Sequence, residues 1–185
     1  KGLDYYRREV LPPYTRYDTP VVVSISADTV DEFARAVAEM SLPEVAVIEA
    51  NISCPNLEAD GMAFAMDPDT TYKAVGAIRR HTSHPFWAKL TPNASNVAVV
   101  AKAAEEAGAD GIVMGNTLLG MSIDVRTRKP SLGNVMGGLS GPAIKPVAVR
   151  MVHQCYRSVH IPIIGCGGIR CAEDVVEFML AGASA

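Results

Sequence analysis

Five short apolar runs, each followed by a stretch of helical periodicity, constrain this chain more than any other feature. The runs are TPVVVSISA (19–27), VAVIEANIS (45–53), PFWAKL (85–90), GIVMGN (111–116) and IPIIGCGGI (161–169). They are near-continuous apolar segments and not clean alternations, which suits parallel strands covered by helices. Residues 28–40 place Val30, Phe33, Val37 and Met40 on one helical face, with Asp28 or Thr29 as N-cap. A second helix begins near Pro68, and a third spans 95–108 and ends in glycine. Residues 141–158 read as helix, with Pro146 fitting the first turns better than the interior, and the last helix starts near Cys171. Between them, 117–141 is a long glycine-rich segment. The order predicts one α/β domain over residues 1–185 and leaves a doubly wound sheet and a (β/α)8 barrel both open.

Polar residues and glycines cluster directly after four of the strands, at 51–56, 89–93, 116–117 and 165–168. Sites lie at the C-terminal ends of parallel strands in both folds, but clusters after so many strands favour the barrel, whose strand ends face one axis. Five β/α units cannot close a barrel of eight, so the other strands are expected beyond both ends of the chain. Lys1 in the first position and a final AGASA, a helix end of the kind that leads into a strand, fit that expectation.

Several residues in these clusters carry chemistry. GCGGI (165–169) sits between a strand and a helix, where consecutive glycines let backbone N–H groups approach a phosphate. It is not GxGxxG, and a plain tight turn is the competing reading. Lys89 lies in an apolar strand, so its ammonium should meet an anion or an electron-rich ligand atom. An edge lysine that snorkels to solvent and a Schiff-base lysine are the alternatives. Asn51, Asn56 and Asn116 each offer a donor and an acceptor on one planar amide, which as a set suits a planar ligand with amide edges such as a pyrimidine. Any one alone reads as a turn residue. Cys54 is a candidate base or nucleophile only if its surroundings activate it. His81, His84, His153 and His160 read as solvated or structural.

Composition narrows the function classes. With 49% hydrophobic and 20% charged residues the chain is globular, and its net charge of −3 argues against a general nucleic-acid or anionic-membrane binder. No apolar run approaches the ~20 residues of a membrane-spanning helix, and no signal peptide is visible, so a cytoplasmic protein is expected. Four cysteines without a CxxC pair argue against a metal cluster built from this chain, and Cys155 and Cys171 read as small buried hydrophobes.

Taken together, NISCPN (51–56), GMAFAMDP (61–68), AKLTPN (88–93), GADGIVMGNTLLGM (108–121), RKPSLGNVMGGLSGPAIKP (128–146), IPIIGCGGI (161–169) and EFMLAGASA (177–185) resemble the dihydroorotate dehydrogenases over nearly the whole chain. The resemblance implies a (β/α)8 barrel with FMN at its C-terminal face. It also implies oxidation of dihydroorotate to orotate in pyrimidine biosynthesis, with Cys54 removing the C5 proton and FMN taking the C6 hydride. It is closest to class 1, and NTLLGMSID with RKPSLGN is most like class 1B. Those catalytic chains dimerise and pass electrons to NAD through an iron–sulfur, FAD-bearing subunit. Residue by residue, Cys54 matches the base, Asn51 a residue near both FMN and substrate, and Asn56, Asn116 and Thr117 substrate contacts. Lys89 matches the lysine at the flavin's pyrimidine edge. Gly115, Gly141, Gly167 and Gly168 match positions lining FMN, the last two at its phosphate.

Two departures accompany the match. Ser24 stands where the family usually has an asparagine facing FMN, implying a shorter or water-mediated contact. An N-terminal lysine and asparagine, and a second phosphate loop, are expected before Lys1 and after Ala185. A dihydropyrimidine dehydrogenase-like FMN barrel, a Schiff-base aldolase and a non-catalytic truncated barrel stay open as alternatives, as does the choice between NAD and fumarate as acceptor.

Overall fold

The structure is a computed structural model that describes residues 2–53 and 63–185. The N-terminal residues, for which the sequence pattern gives no element, form helical turns: α1 (Gly2–Tyr5), a π-helical turn at Tyr6–Val10, and α2 (Leu11–Tyr14). The barrel units follow as β1 (Val22–Ile25), α3 (Val30–Met40), β2 (Val47–Asn51), α4 (Pro68–Arg79), β3 (Phe86–Leu90), α5 (Val97–Glu106) and β4 (Gly111–Met114). An excursion holds β5 (Leu118–Met121), β6 (Ile123–Asp124), β7 (Lys129–Pro130) and β8 (Met136–Leu139). The chain then returns through α6 (Lys145–Tyr156), β9 (Ile163–Gly165) and α7 (Ala172–Ala181).

The main sheet has five parallel strands in the order β1-β2-β3-β4-β9, so each β/α unit adds its strand beside the last. Sequential parallel neighbours with one helix per crossover are the wall of a (β/α)8 barrel, not the reversing order of a doubly wound sheet. Past β9, Ser184 N donates to Ile163 O at 2.7 Å and Gly165 N to Ala185 O at 2.8 Å, so residues 184–185 lie against β9.

The strands alternate more than their sequences suggest. On β2 and β3, Ile48, Ala50, Phe86, Ala88 and Leu90 are buried in the core shared with the helices, whereas Glu49, Asn51, Trp87 and Lys89 face the concave side. Parallel register sets those side chains in rows: Ser24, Glu49, Trp87 and Gly111 in one, Asn51, Lys89, Val113 and Ile164 in the next. A Cβ on Gly111 would lie 2.7 Å from the Trp87 ring, so the glycine makes room for that indole.

Caps set the helix starts. Thr29 accepts Glu32 N at 3.2 Å, Asp67 accepts Thr70 N at 2.9 Å, and Pro146 sits in the first turn of α6. Cys155 is buried as expected, and burial pushes its thiol up to about 12. The expectation of a buried Cys171 is not met: it is exposed and caps α7, its side chain receiving the Asp174 backbone N–H while the Asp174 carboxylate returns to its own N–H. At the helix start its side chain is spent on the first-turn N–H groups and not on the core.

The glycine-rich segment is also more ordered than its composition suggests. It forms two antiparallel ribbons, β5 with β8 and β6 with β7. Glycines hide the period-two pattern there because Gly138 faces Thr117, whose side chain fills the space a Cβ would take. Among the described residues no helix is long and apolar enough to cross a membrane.

Candidate active site

Four strand ends converge on the concave side, and each delivers its groups for a local reason. β3 carries Lys89 inward because its even neighbours, Ala88 and Leu90, are claimed by the helical side. Its Nζ lies 3.6 Å from Glu49 Oε1 on β2, and the same oxygen accepts the Ser24 hydroxyl at 2.6 Å. The expected anion opposite Lys89 is therefore supplied in part by this chain. Glu49 is a residue that sequence reasoning missed, although a carboxylate inside an apolar run (VAVIEA) was the available signal. Ser24 spends its proton on Glu49, leaving its lone pairs to face a ligand or water.

Asn51 and Asn116 come together through a hydroxyl. Ser53 Oγ donates to Asn51 Oδ1 and accepts from Asn116 Nδ2, while Asn116 Oδ1 accepts Thr117 N at 2.8 Å. The two amides are thus oriented by each other, with one Ser53 lone pair and one proton fixing both flips. Asn93 secures the next stretch: its Nδ2 donates to Thr117 O at 3.1 Å and its Oδ1 accepts Leu119 N at 3.0 Å. Thr117 is therefore presented from a clipped loop. Ser53 and Asn93 were not singled out from sequence; both lie inside polar clusters that were. Cys54 and Asn56 lie outside the described residues.

The glycines assemble a cradle. Gly141, Gly167 and Gly168 have φ of +84°, +127° and +78°, the left-handed region where a side chain is strained. A Cβ on Gly168 would stand 2.9 Å from both Gly141 O and Lys145 N, so the turn after β9 is pressed against the start of α6. Among the described residues the N–H groups of Gly167 and Gly168 donate to no acceptor. Two successive backbone donors with positive φ, free of side chains, form a concavity that suits a phosphate oxygen. Gly115 is buried at the end of β4, where a Cβ would have only ordinary contact, 3.9 Å from Pro92. Close approach therefore does not demand glycine there.

An ionic cluster buttresses the cradle from behind. Lys145 Nζ meets Asp174 at 2.7 Å and Glu177 at 2.6 Å, and Asp174 also accepts Arg170 N at 2.8 Å. The Lys145 hydrogen bond, with that of Arg170 N, holds the Asp174 carboxyl well below the usual carboxylate range, and the two acids push Lys145 above the usual lysine range. The histidines take no part: His81 contacts Ala77 O at 2.8 Å, His84 contacts Leu42 O at 2.9 Å, and His153 and His160 are exposed.

A cation, a pair of ordered amides and a side-chain-free glycine turn at the C-terminal ends of parallel strands form a candidate ligand-binding arc of a (β/α)8 barrel. FabK from Thermotoga maritima shares the architecture, with a TM-score of 0.60 at 18% identity over 100% of this chain and 46% of that one. At that identity the likeness is one of fold. In sequence, the family model for dihydroorotate dehydrogenase matches residues 1–185. The chain belongs to the dihydroorotate dehydrogenase family, a flavin-dependent one. Among similar proteins, the "Dihydroorotate dehydrogenase B (NAD(+)), catalytic subunit" of Desulforudis audaxviator is 50% identical over all 185 residues, and that of Anoxybacillus flavithermus 48% identical. The chain spans 60% and 59% of those two relatives' lengths.

Proposed function

We propose that the protein of which this chain forms the described arc oxidises (S)-dihydroorotate to orotate with FMN as its flavin, in pyrimidine biosynthesis. The observation that carries the reading is the hydrogen-bonded line Asn51–Ser53–Asn116, set beside Lys89 at the ends of β2, β3 and β4. A pyrimidine ring has alternating amide donors and acceptors along its edge, and two amides of fixed orientation can read it. Bound FMN would supply the hydride acceptor. Gly167 and Gly168 would hold its phosphate with Gly141 and Gly115 along its length, and Lys89 would place positive charge at its pyrimidine edge. Ser24 would line it from β1. Asn51, Asn56, Asn116 and Thr117 would hold the substrate, and Cys54 would take the C5 proton, as a thiol whose pKa can approach ambient pH.

The relatives named as NAD(+)-type catalytic subunits support NAD as final acceptor and a partner subunit; in this reading that partner carries the iron–sulfur cluster and FAD. A homodimer located in the cytoplasm, with residues 1–185 inside one barrel domain, completes the reading. In the flavin-loaded protein, dihydroorotate should bleach the flavin anaerobically without NADPH, and uracil should not compete. Cys54→Ala should keep FMN and orotate binding and lose this reduction, while Cys54→Ser should recover part of it at high pH. Wild-type reduction rates in Cys54→Ala would remove the base assignment, and a colourless protein would remove the flavin.

A further inference from the structure

We propose that Glu49 is a positioning residue that moderates the charge of Lys89 and through it sets the reduction potential of the bound flavin. The inference rests on the flavin reading above. Glu49 lies on the concave face of β2, in the row that Ser24 begins and Trp87 continues. Its side chain is 13% exposed and that of Lys89 21%, so both ends of the pair are largely withdrawn from water. A carboxylate is a poor choice for a packed barrel interior, where an aliphatic residue would fill the space without desolvating a charge. It is tolerated because its Oε1 is met from both sides, by Lys89 Nζ at 3.6 Å and by the Ser24 hydroxyl at 2.6 Å.

The Ser24 bond decides between two roles. If Glu49 merely followed the lysine, its rotamer would be set by that one contact; anchoring to β1 instead holds the carboxylate where it is and leaves the lysine as the adaptable partner. An ammonium with a fixed carboxylate 3.6 Å away acts on a third group as a dipole, not as a lone cation. The reduced flavin is richer in electrons than the oxidised form, so it gains more from an uncompensated Lys89. Glu49 therefore lowers the potential. Trp87 continues the row on the other side of Glu49, its ring lying across Gly111.

Glu49→Gln removes the charge while keeping the side chain's length and an oxygen to accept from Ser24. The measurement is the two-electron midpoint potential of the flavin in the loaded, full-length protein, by anaerobic equilibration with a reference dye, alongside the affinity for oxidised FMN. The expected result is about tenfold stronger relative binding of the reduced form, read as a positive shift of about 30 mV, with oxidised affinity little changed. In a Lys89→Met background the same substitution should produce no positive shift. Should Glu49→Gln fail to fold, Glu49→Asp draws the carboxylate back from Lys89 and should shift the potential positive by less. An unchanged potential in the variant that folds, or an equal shift without Lys89, would overturn the proposal. A colourless wild-type protein would instead remove the flavin reading itself. Wild-type flavin reduced by dihydroorotate, with Glu49→Gln at the wild-type potential, would leave that reading intact and remove only the role of Glu49.

Discussion

Replacing Gly168 by alanine tests the cradle at its tightest point. The residue has φ +78°, where a Cβ costs about 1–2 kcal/mol. That Cβ would also stand 2.8 Å from Lys145 Cβ and 2.9 Å from Gly141 O and Lys145 N. Two of the three obstacles are backbone atoms, held by the start of α6 and by the Lys145–Asp174 pair, so they cannot rotate away as a side-chain tip would. Overpacking of this kind adds about 1–3 kcal/mol. The sum, about 2–5 kcal/mol, corresponds to a fall in Tm on the order of 10 °C for a domain of this size. Relief of the clash must also turn the Gly167 and Gly168 N–H groups. Each charge-assisted hydrogen bond lost to a phosphate contributes about 1.5–3 kcal/mol, so flavin affinity should fall by at least tenfold. Thermal unfolding by circular dichroism and a flavin fluorescence titration read the two effects separately. Gly133→Ala is the control, since nothing lies within 4 Å of a Cβ there. Wild-type Tm in Gly168→Ala would refute the packing argument. Lost stability with undiminished flavin affinity would refute the phosphate cradle.

Two further outcomes follow from the same geometry. Ser53→Ala removes the hydroxyl shared by Asn51 and Asn116, each bond worth about 1 kcal/mol, so Tm should fall by about 4–8 °C and orotate should bind more weakly as the two amides lose their common anchor; an unchanged orotate titration would show that the two amides hold their orientation without it. The Asp174 carboxyl titrates below its unfolded value of about 3.9, so its contribution to stability is complete above that pH and lost as pH falls through the folded-state value. The stability gap between wild type and Asp174→Asn should therefore narrow as pH drops from neutral to below about 4 in urea titrations; a gap independent of pH would contradict the Lys145–Asp174 assignment.

The fold was largely legible because its signal is local. Each apolar run and each amphipathic face, such as Phe33, Val37 and Met40 on α3, is written in consecutive residues, and the structure buries those three. The ribbons of 118–139 were not legible, because a strand rich in glycine lacks the side-chain alternation by which strands are recognised. Cys171 was misread because a thiol looks apolar in composition, while its place at a helix start turns it into a cap.

For the site, sequence alone supplied the cluster positions, the lysine, the amides and the glycines, since parallel strands must present their C-terminal ends together once the alternation is known. Which groups meet there was a matter of register and of reach across strands. Asn51 pairs with Lys89, while Glu49, one row away, lies within 3.6 Å of the ammonium and shares its oxygen with Ser24. Ser53 joins two asparagines that stand far apart in the chain. Gly141 and Gly168 meet because α6 folds back onto the turn after β9. Local pattern fixes what each segment becomes, but contacts between segments depend on strand order and pleat, which only the folded chain sets.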